Sequence, residues 1–320
     1  MSSTVLSNSL HQFIDEVSHD LGDSSWRSLV LLAVAMVLLL AEAPSARREG
    51  RPRDYRQSYQ TNIGTLLFND TLLSLLSISS LWVIASQYSG WGFLSSIESQ
   101  SVKALLAFVL LDLTMYLWHR ANHQFEWLWR FHKVHHSDRV MNVSTAFRLH
   151  VVEVFFTVVV KALFIVVAGV DATLVVASEA LMTLCVLFHH AHIRFRGERL
   201  LGRITIMPYL HRTHHSTVRA EHDSNYGAVL SCWDRLLGTF SEAVPEAIGL
   251  AHVPGQNFLE LLRFGFAPNA SGMSAKASPS HDWIAEAAYY LAEKRGFAPG
   301  DDVRDWFEAE QQLRQPQPQP

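Results

Sequence analysis

Residues 101–123 read SVKALLAFVLLDLTMYLWHRANH, an apolar run that ends in two histidines. The apolar part, Val102–Trp118, approaches the roughly 20 residues that a helix needs to span a bilayer. His119 and His123 are four residues apart and Asp112 precedes His119 by seven, so all three share one helical face. This stretch predicts a membrane helix that presents histidines at one end.

Four more apolar stretches predict further membrane helices. They are Trp26–Ala41, Ile63–Ala85, Val151–Val170 and Ala172–Phe188. Residues 41–43 (AEA) resemble a signal-peptide cleavage site, but the residues before the first stretch include four acidic and no basic ones. Since a signal peptide needs a basic n-region, we expect a retained helix. The predicted fold class is all-α, an integral membrane helical bundle of four to five transmembrane or re-entrant helices.

The composition also favours a membrane protein. Of the 320 residues, 49% are hydrophobic and 18% are charged, against about 25% charged in average soluble proteins. The net charge of −4 gives no support for a nucleic-acid partner. The two cysteines, Cys185 and Cys232, are too far apart for a CxxC pair and too few for a Cys-rich zinc site or a disulfide framework.

The arginines predict the orientation in the membrane. After the first stretch, the loop ARREGRPRDYR at 46–56 carries five arginines, whereas the leading segment is acidic and residues 87–101 contain no Lys or Arg. The positive-inside rule therefore places the N-terminus outside and this loop in the cytoplasm. Counting crossings from the loop, the histidine motifs and the C-terminus also fall in the cytoplasm.

Histidine is the unusual residue of this chain. There are 17, and thirteen of them lie between His119 and His222. The spacing of HKVHH at 132–136 recurs in HRTHH at 211–215, and FHHAH at 188–192 lies between them. One histidine at a membrane interface is an ordinary polar residue, but this set on one membrane side predicts a metal site. Imidazole suits Fe, Zn, Cu and Ni, and the set exceeds the four ligands of a single tetrahedral zinc, so we expect two metal ions.

These motifs resemble the fatty acid hydroxylase/sterol desaturase superfamily of integral membrane non-heme di-iron enzymes. The segments DSNYG at 223–227 and WDRLLGT at 233–239 are also similar to that superfamily. Residues 148–153, RLHVVE, are similar to the family's RxHPxE with Val151 in place of proline. The resemblance covers roughly residues 65–266. The tail from Trp283 to Leu313 resembles a short bacterial module of unknown function, which suggests a bacterial source.

The resemblance implies a set of metal ligands and of polar residues that support them in a cytoplasmic helical cap. The implied metal ligands are His119, His123, His132, His135, His136, His190, His211, His214 and His215. The implied catalytic residues are Asp112, Glu153, Asp223 and Asn225. His190 matches a bacterial F-x-H-(A/S)-N pattern, and His189 and His192 remain alternative ligands. For Asp234, a structural cap or an ion pair with Arg235 is as good an interpretation as a role at the metal.

The implied reaction is the O2-dependent hydroxylation of an unactivated C–H bond of a lipid, an acyl chain, sterol or isoprenoid, at two Fe ions. A lipid desaturase on the same site is the alternative within this class. A metal transporter or metal-binding membrane protein is the alternative from another class, although transport sites lie near the bilayer midplane rather than at one interface.

The implied reaction also needs partners. The sequence has no GxGxxG fingerprint, cysteine cluster or haem segment. An external electron donor is therefore expected, a ferredoxin or a cytochrome with its reductase, while the lipid enters from the bilayer. We expect an integral protein of the bacterial inner membrane with its active site facing the cytoplasm.

The sequence suggests five segments. They are an N-terminal segment with the first helix and the Arg-rich loop at 1–61, the catalytic domain at 62–266, a linker at 267–282, a helical module at 283–314 and a disordered tail at 315–320.

One ion pair is also predicted. Lys161 and Glu179 each lie nine residues from Val170, about 13 Å along antiparallel helices and close to the bilayer midplane. Because unpaired charges at that depth are costly, we expect Lys161 and Glu179 to pair across a hairpin that turns at 169–171.

Overall fold

The computed structural model describes residues 30, 33–75, 81–251, 253–267 and 281–314. Within these ranges the chain is helical and holds no β-strand, which confirms the all-α prediction for this part of the protein. The helices are α1 (33–48), α2 (Pro52–Leu75), α3 (Leu81–Tyr88), α4 (Gln100–Gln124), α5 (Glu126–His136), α6 (Val151–Ala168), α7 (Ala172–His190), α8 (Glu198–Leu201), α9 (Pro208–His214), α10 (Arg219–His222), α11 (Cys232–Leu236), α12 (Phe258–Phe264), α13 (His281–Lys294) and α14 (Asp302–Arg314).

Helices α4, α6 and α7 are the three described helices that are long and apolar enough to cross a membrane. They confirm the apolar stretches predicted to begin at residues 102, 151 and 172. Their outward side chains are apolar and exposed: Leu105 on α4 is 63% exposed, Leu163 on α6 60% and Leu181 on α7 46%. Exposed apolar surface of this kind marks contact with a membrane or a partner. The chain is therefore a membrane protein.

The second predicted membrane stretch differs from the structure, and the first is described only in part. In the first, residues 26–29 and 31–32 lie outside the described residues. The second, Ile63–Ala85, falls on two described helices, because α2 begins at Pro52 and residues 76–80 are not described. Helix α2 buries polar side chains at helical spacing, namely Tyr55, Ser58, Thr61, Asn62, Thr65 and Asn69. This helix therefore packs polar side chains into the protein, and it crosses the predicted domain boundary at 61/62.

Helices α6 and α7 form the predicted hairpin. Helix α6 ends at Ala168, and Gly169 follows in the left-handed conformation with φ of 73°. Asp171 Oδ1 then accepts the N–H of Leu174 at 3.0 Å and caps the start of α7. Across the hairpin, Lys161 Nζ lies 2.6 Å from Glu179 Oε2, so the predicted ion pair is confirmed.

The connection from α3 to α4 packs backbone to backbone on the hairpin turn. Leu94 N–H donates to Ala168 O at 2.8 Å, and Phe93 N–H donates to Val167 O at 3.2 Å. A Cβ atom on Gly92 would lie 1.9 Å from Gly169 N. Only glycine fits at position 92, because any side chain there would occupy the space of the turn.

A buried polar network holds the C-terminal end of α5. The Arg148 guanidinium, 2% exposed, donates to Val134 O at 3.1 Å, to Asn62 Oδ1 at 3.0 Å and to Gln256 Oε1 at 3.1 Å. Since each guanidinium nitrogen has an acceptor, the buried charge is accommodated. The network ties α2 and the segment before α12 to the helix that carries HKVHH.

The two C-terminal helices match the two helical patterns predicted after residue 283. Arg139 forms an ion pair with Glu286 and donates to the Tyr290 hydroxyl, so α13 contacts the loop that follows α5. The predicted linker at 267–282 falls mostly on residues 268–280, which lie outside the described residues. The predicted domain boundaries stay predictions.

Candidate metal centre

The ends of four helices bring all nine predicted ligands together. They form two groups in which the ligand atoms lie within 4.8 Å of one another. The first group is His119, His123, His132, His136 and His214, and the second is His135, His190, His211 and His215. Eight of the nine side chains are buried and His119 is half-buried.

The repeated HxxHH spacing explains why there are two neighbouring groups. On α5, His132 and His136 point to the first group and His135 to the second. At the end of α9, His214 joins the first group, whereas His211 and His215 join the second. The rings of His136 and His215 stack with their centroids 4.6 Å apart, so the groups share a wall.

The distances between ring nitrogens fit shared metal ions. In the second group, Nε2 of His190 lies 3.2 Å from that of His135 and 3.0 Å from that of His211. In the first group, the Nε2 atoms of His119 and His132 are 3.1 Å apart. Two imidazole nitrogens bound at about 2.1 Å to one ion, at a right angle, would be about 3.0 Å apart.

Several of these nitrogens are buried without a hydrogen-bond partner among the described residues. They are His123 Nε2, His135 Nδ1, both ring nitrogens of His136, His211 Nδ1, His214 Nε2 and His215 Nδ1. Burial lowers the pKa values of His211, His214 and His215 well below the ordinary imidazole range. These side chains are therefore neutral at pH 7, which is the form that binds a metal ion. The donor set fits one or more metal ions.

Two of the predicted carboxylates lie against ligand histidines. Glu153 Oε1 is 2.7 Å from His132 Nδ1, and Asp223 Oδ1 is 3.1 Å from His123 Nδ1. A carboxylate at Nδ1 holds the proton there and turns the Nε2 lone pair inward, which is how such groups orient metal ligands. Glu153 is 6% exposed, so its hydrogen bond with His132 is shielded from solvent.

Backbone carbonyls anchor three more ligands, and the sequence did not predict these contacts. The Nδ1 atoms of His119, His190 and His214 lie 2.9, 2.7 and 2.7 Å from the carbonyl oxygens of Tyr226, Val186 and Ser224. Two of these carbonyls belong to the DSNYG segment. The DSNYG motif was the only feature of the sequence that pointed to these two contacts, because any type of residue can supply a backbone carbonyl.

The other two residues predicted as catalytic do not lie at the histidines. Asp112 accepts the N–H groups of Val229 at 2.9 Å and Leu230 at 3.1 Å, and the indole N–H of Trp233 at 2.8 Å. Asn225 Nδ2 donates to the carbonyls of Leu210 and Ser241, and its backbone has φ of 53°. Both side chains hold the segment after α10, whose Ser224 and Tyr226 carbonyls anchor His214 and His119.

Asp234 has a structural role in the described residues, but it is not a helix cap, because it lies inside α11 and binds the loop at 226–227. Its carboxylate accepts the N–H groups of Tyr226 at 2.8 Å and Gly227 at 3.0 Å, and the Thr239 hydroxyl at 2.7 Å. Burial raises the pKa of Asp234 to about 6. The guanidinium of Arg235 lies 3.6 Å from the centroid of the Phe240 ring.

The two alternative ligands are placed differently. His192 Nδ1 lies 2.7 Å from the Tyr55 hydroxyl and its Nε2 lies 3.3 Å from Glu49 Oε1, so this ring is engaged away from both groups. His189 is buried, with its ring centroid 4.0 Å from that of His211, but it belongs to neither group.

A cavity of about 320 Å³ opens beside the two groups. His119, His132 and His190 line one end of it, and it continues between the membrane-length helices α4, α6 and α7. Trp118 forms part of the wall and donates its indole N–H to Thr157 Oγ1 at 2.9 Å. An apolar molecule from the bilayer could therefore reach the histidines through this space.

Nine converging histidines beside three membrane-length helices define a membrane protein with two histidine groups that could hold metal ions. Residues 104–239 match the family model described as fatty acid hydroxylase, and residues 279–315 match a protein of unknown function (DUF2934). The first match confirms that the histidine-rich part of the chain resembles the fatty acid hydroxylase/sterol desaturase superfamily. The C-terminal match likewise confirms the module of unknown function.

Curated relatives of this chain include lipid hydroxylases. The ornithine lipid hydroxylase OlsE of Rhizobium tropici is 28% identical over 233 residues, which are 67% of this chain and 67% of that protein. The alkylglycerol monooxygenases of Danio rerio and Homo sapiens are 32% and 35% identical, over 51% and 46% of this chain. The matches span 36% and 32% of those two monooxygenases. No solved structure matches the chain.

Proposed function

We propose that this protein hydroxylates a C–H bond of a membrane lipid with O2 at a di-iron site. The observation that carries the proposal is the pair of histidine groups, whose facing nitrogens lie 3.0–3.2 Å apart at the end of a cavity between membrane-length helices. The names of the relatives, hydroxylase and monooxygenase, favour hydroxylation over desaturation.

Different parts of the site have different roles in the proposed reaction. The nine histidines would hold two irons, which supply the activation of dioxygen when bound. Glu153 and Asp223 keep a proton on Nδ1 of His132 and His123 and so fix the direction of their Nε2 atoms. The cavity holds the hydrocarbon part of the substrate next to the histidines and excludes water from it. The electrons come from an external donor, a ferredoxin or a cytochrome with its reductase.

The proposed activity is tested by metal and product analysis of the full-length protein. We expect close to two irons per chain by elemental analysis of the purified protein. Cells that express the protein under ¹⁸O2 should accumulate a lipid that carries one ¹⁸O atom. Replacement of His135 or His214 by Ala, one from each group, should lower the iron content and abolish the labelled product. Full activity in both variants would overturn the assignment.

We further propose that the histidines face the cytoplasm. The Arg-rich loop lies on the same side of the molecule as the histidines, since Arg51 donates to Arg139 O at 3.3 Å and Tyr55 contacts His192 at 2.7 Å. The positive-inside rule then places both in the cytoplasm. A green fluorescent protein fused to the C-terminus should fluoresce, and an alkaline phosphatase fused there should be inactive. An active phosphatase would reverse the orientation.

A further inference from the structure

The cavity beside the histidines ends at the Lys161–Glu179 ion pair. Along α6 it is lined by Glu153, Thr157 and Lys161, which are spaced four residues apart and share one helical face. Lys161 is the lining residue of α6 farthest from the histidines, and Glu179 holds that position on α7. The distance from Glu153 to Lys161 along the helix is about 12 Å.

The wall between these two polar ends is mostly apolar. Met115 from α4 and Met182 and Val186 from α7 face the space. Methionine side chains adapt to the shape of an apolar ligand. A mostly apolar space with a few polar groups at its ends is typical of a small-molecule site, and here it suits an unbranched hydrocarbon chain.

We propose that the Lys161–Glu179 pair limits how far a lipid chain enters the cavity and thereby selects which carbon lies at the histidines. The inference rests on the proposed function, because it takes the substrate to be a lipid with an acyl or alkyl chain. The two charges satisfy each other at 2.6 Å, and their side chains are still 16% and 29% exposed. A chain end could pass only by separating the two side chains, which would leave each charge unpaired in apolar surroundings, so the pair resists it.

The test removes the charges while keeping side-chain volume. The double variant Lys161→Met/Glu179→Met replaces the ion pair by apolar side chains. The swapped variant Lys161→Glu/Glu179→Lys restores a pair of opposite charges at the same place. Leu163→Met/Leu181→Met is the matched control, since these two residues lie on the same helices and are 60% and 46% exposed on the outside.

The readout is lipid binding to the full-length purified protein, independent of turnover. The probe is an equimolar mixture of lysophosphatidylglycerols with saturated chains of graded length, and the retained lipids are quantified by mass spectrometry. In the double methionine variant we expect the ratio of longest to shortest retained chains to rise roughly tenfold, as removal of a steric or polar limit in a pocket changes discrimination. The swapped variant and the leucine control should keep the wild-type ratio.

Three outcomes would overturn the proposal. The first is an unchanged ratio in the double methionine variant, which would leave the pair a purely structural role. The second is an equal change in the leucine control. The third is retention that is undiminished by Ala228→Phe, a substitution that fills the cavity wall, because the probe would then bind elsewhere. A wild-type protein that binds the probe but forms no ¹⁸O-labelled lipid would instead contradict the proposed function and leave this inference standing.

Discussion

His132 depends on Glu153 for its orientation, and this hydrogen bond gives the first prediction. The bond of 2.7 Å is buried, and the carboxylate fixes the tautomer of the imidazole. Glu153→Gln keeps the shape but removes the charge, so the iron affinity should fall by about 10–100-fold. Competition with a chelator measures it. The exposed Glu98→Gln variant is the control, and an unchanged affinity in Glu153→Gln would contradict the role.

Asp112 gives a prediction of the opposite kind, for stability rather than metal binding. Its fully buried carboxylate accepts three N–H donors, and an asparagine would turn its own NH2 group toward one of them. Asp112→Asn should therefore destabilise the protein by about 1–3 kcal/mol. The melting temperature in detergent should fall while the iron per folded chain stays unchanged. Asp70→Asn on the exposed face of α2 is the control; iron loss without destabilisation would instead place Asp112 in the metal chemistry.

The residues that could be predicted from the sequence are those whose spacing is local. HxxxH and the two HxxHH motifs supplied eight of the nine predicted ligands and the family pattern supplied His190, and the structure brings all nine together. Lys161 and Glu179 could be paired because both lie at equal distances from one turn. The carbonyl anchors of Tyr226 and Ser224 could not be predicted, because they depend on the path of the loop at 223–227. The Val186 carbonyl lies four residues before His190 on α7 and is a local contact.

The contact between the α3–α4 connection and the hairpin turn leads to a prediction about how two structural elements pack. The backbone of Gly92 touches that of Gly169, and a Cβ atom at position 92 would lie 2.0 Å from Ala168 C. Gly92→Ala should destabilise the membrane bundle by about 1–3 kcal/mol through overpacking. Gly90→Ala is the matched control, since a Cβ atom there meets nothing within 4 Å. Equal melting temperatures for the two variants in detergent would contradict this packing.

Helix α2 shows where prediction of an element from apolar content fails. Residues 63–85 are apolar enough to suggest a membrane helix, yet α2 begins at Pro52. Polar side chains can be buried on the first half of α2 because they have partners inside the protein. Asn62 and Ser58 both donate to Asp138 Oδ2, at 3.0 Å and 2.7 Å. Asp138 lies about 80 positions later in the chain than Ser58. The apolar content of a short segment cannot show that its polar side chains have hydrogen-bond partners elsewhere in the protein.

At the scale of the whole molecule, the C-terminal module is a small unit with its own interior. Ile284 on α13 and Ala309 on α14 are 6% and 0% exposed. Arg295, on the loop that joins them, bonds Asp305 of α14. Toward the rest of the chain the described ion pair is Arg139 with Glu286, and partly exposed pairs of this kind contribute about 0–1 kcal/mol. The module should therefore add little to the stability of the histidine-bearing domain.

Truncation after Ala267 tests this independence. That end point keeps the Ala267 carbonyl, which accepts from Lys133 Nζ at 2.7 Å next to HKVHH. The shortened protein should retain its full iron content, and its melting temperature should shift by no more than about 4 °C, because 1 kcal/mol corresponds to about 2–4 °C in a domain of this size. Arg139→Gln in the full chain removes the contact without shortening the protein and should have the same small effect. If the truncated protein folds with an unchanged melting temperature but loses iron, the module takes part in forming the metal centre, and the chain cannot be divided at the linker.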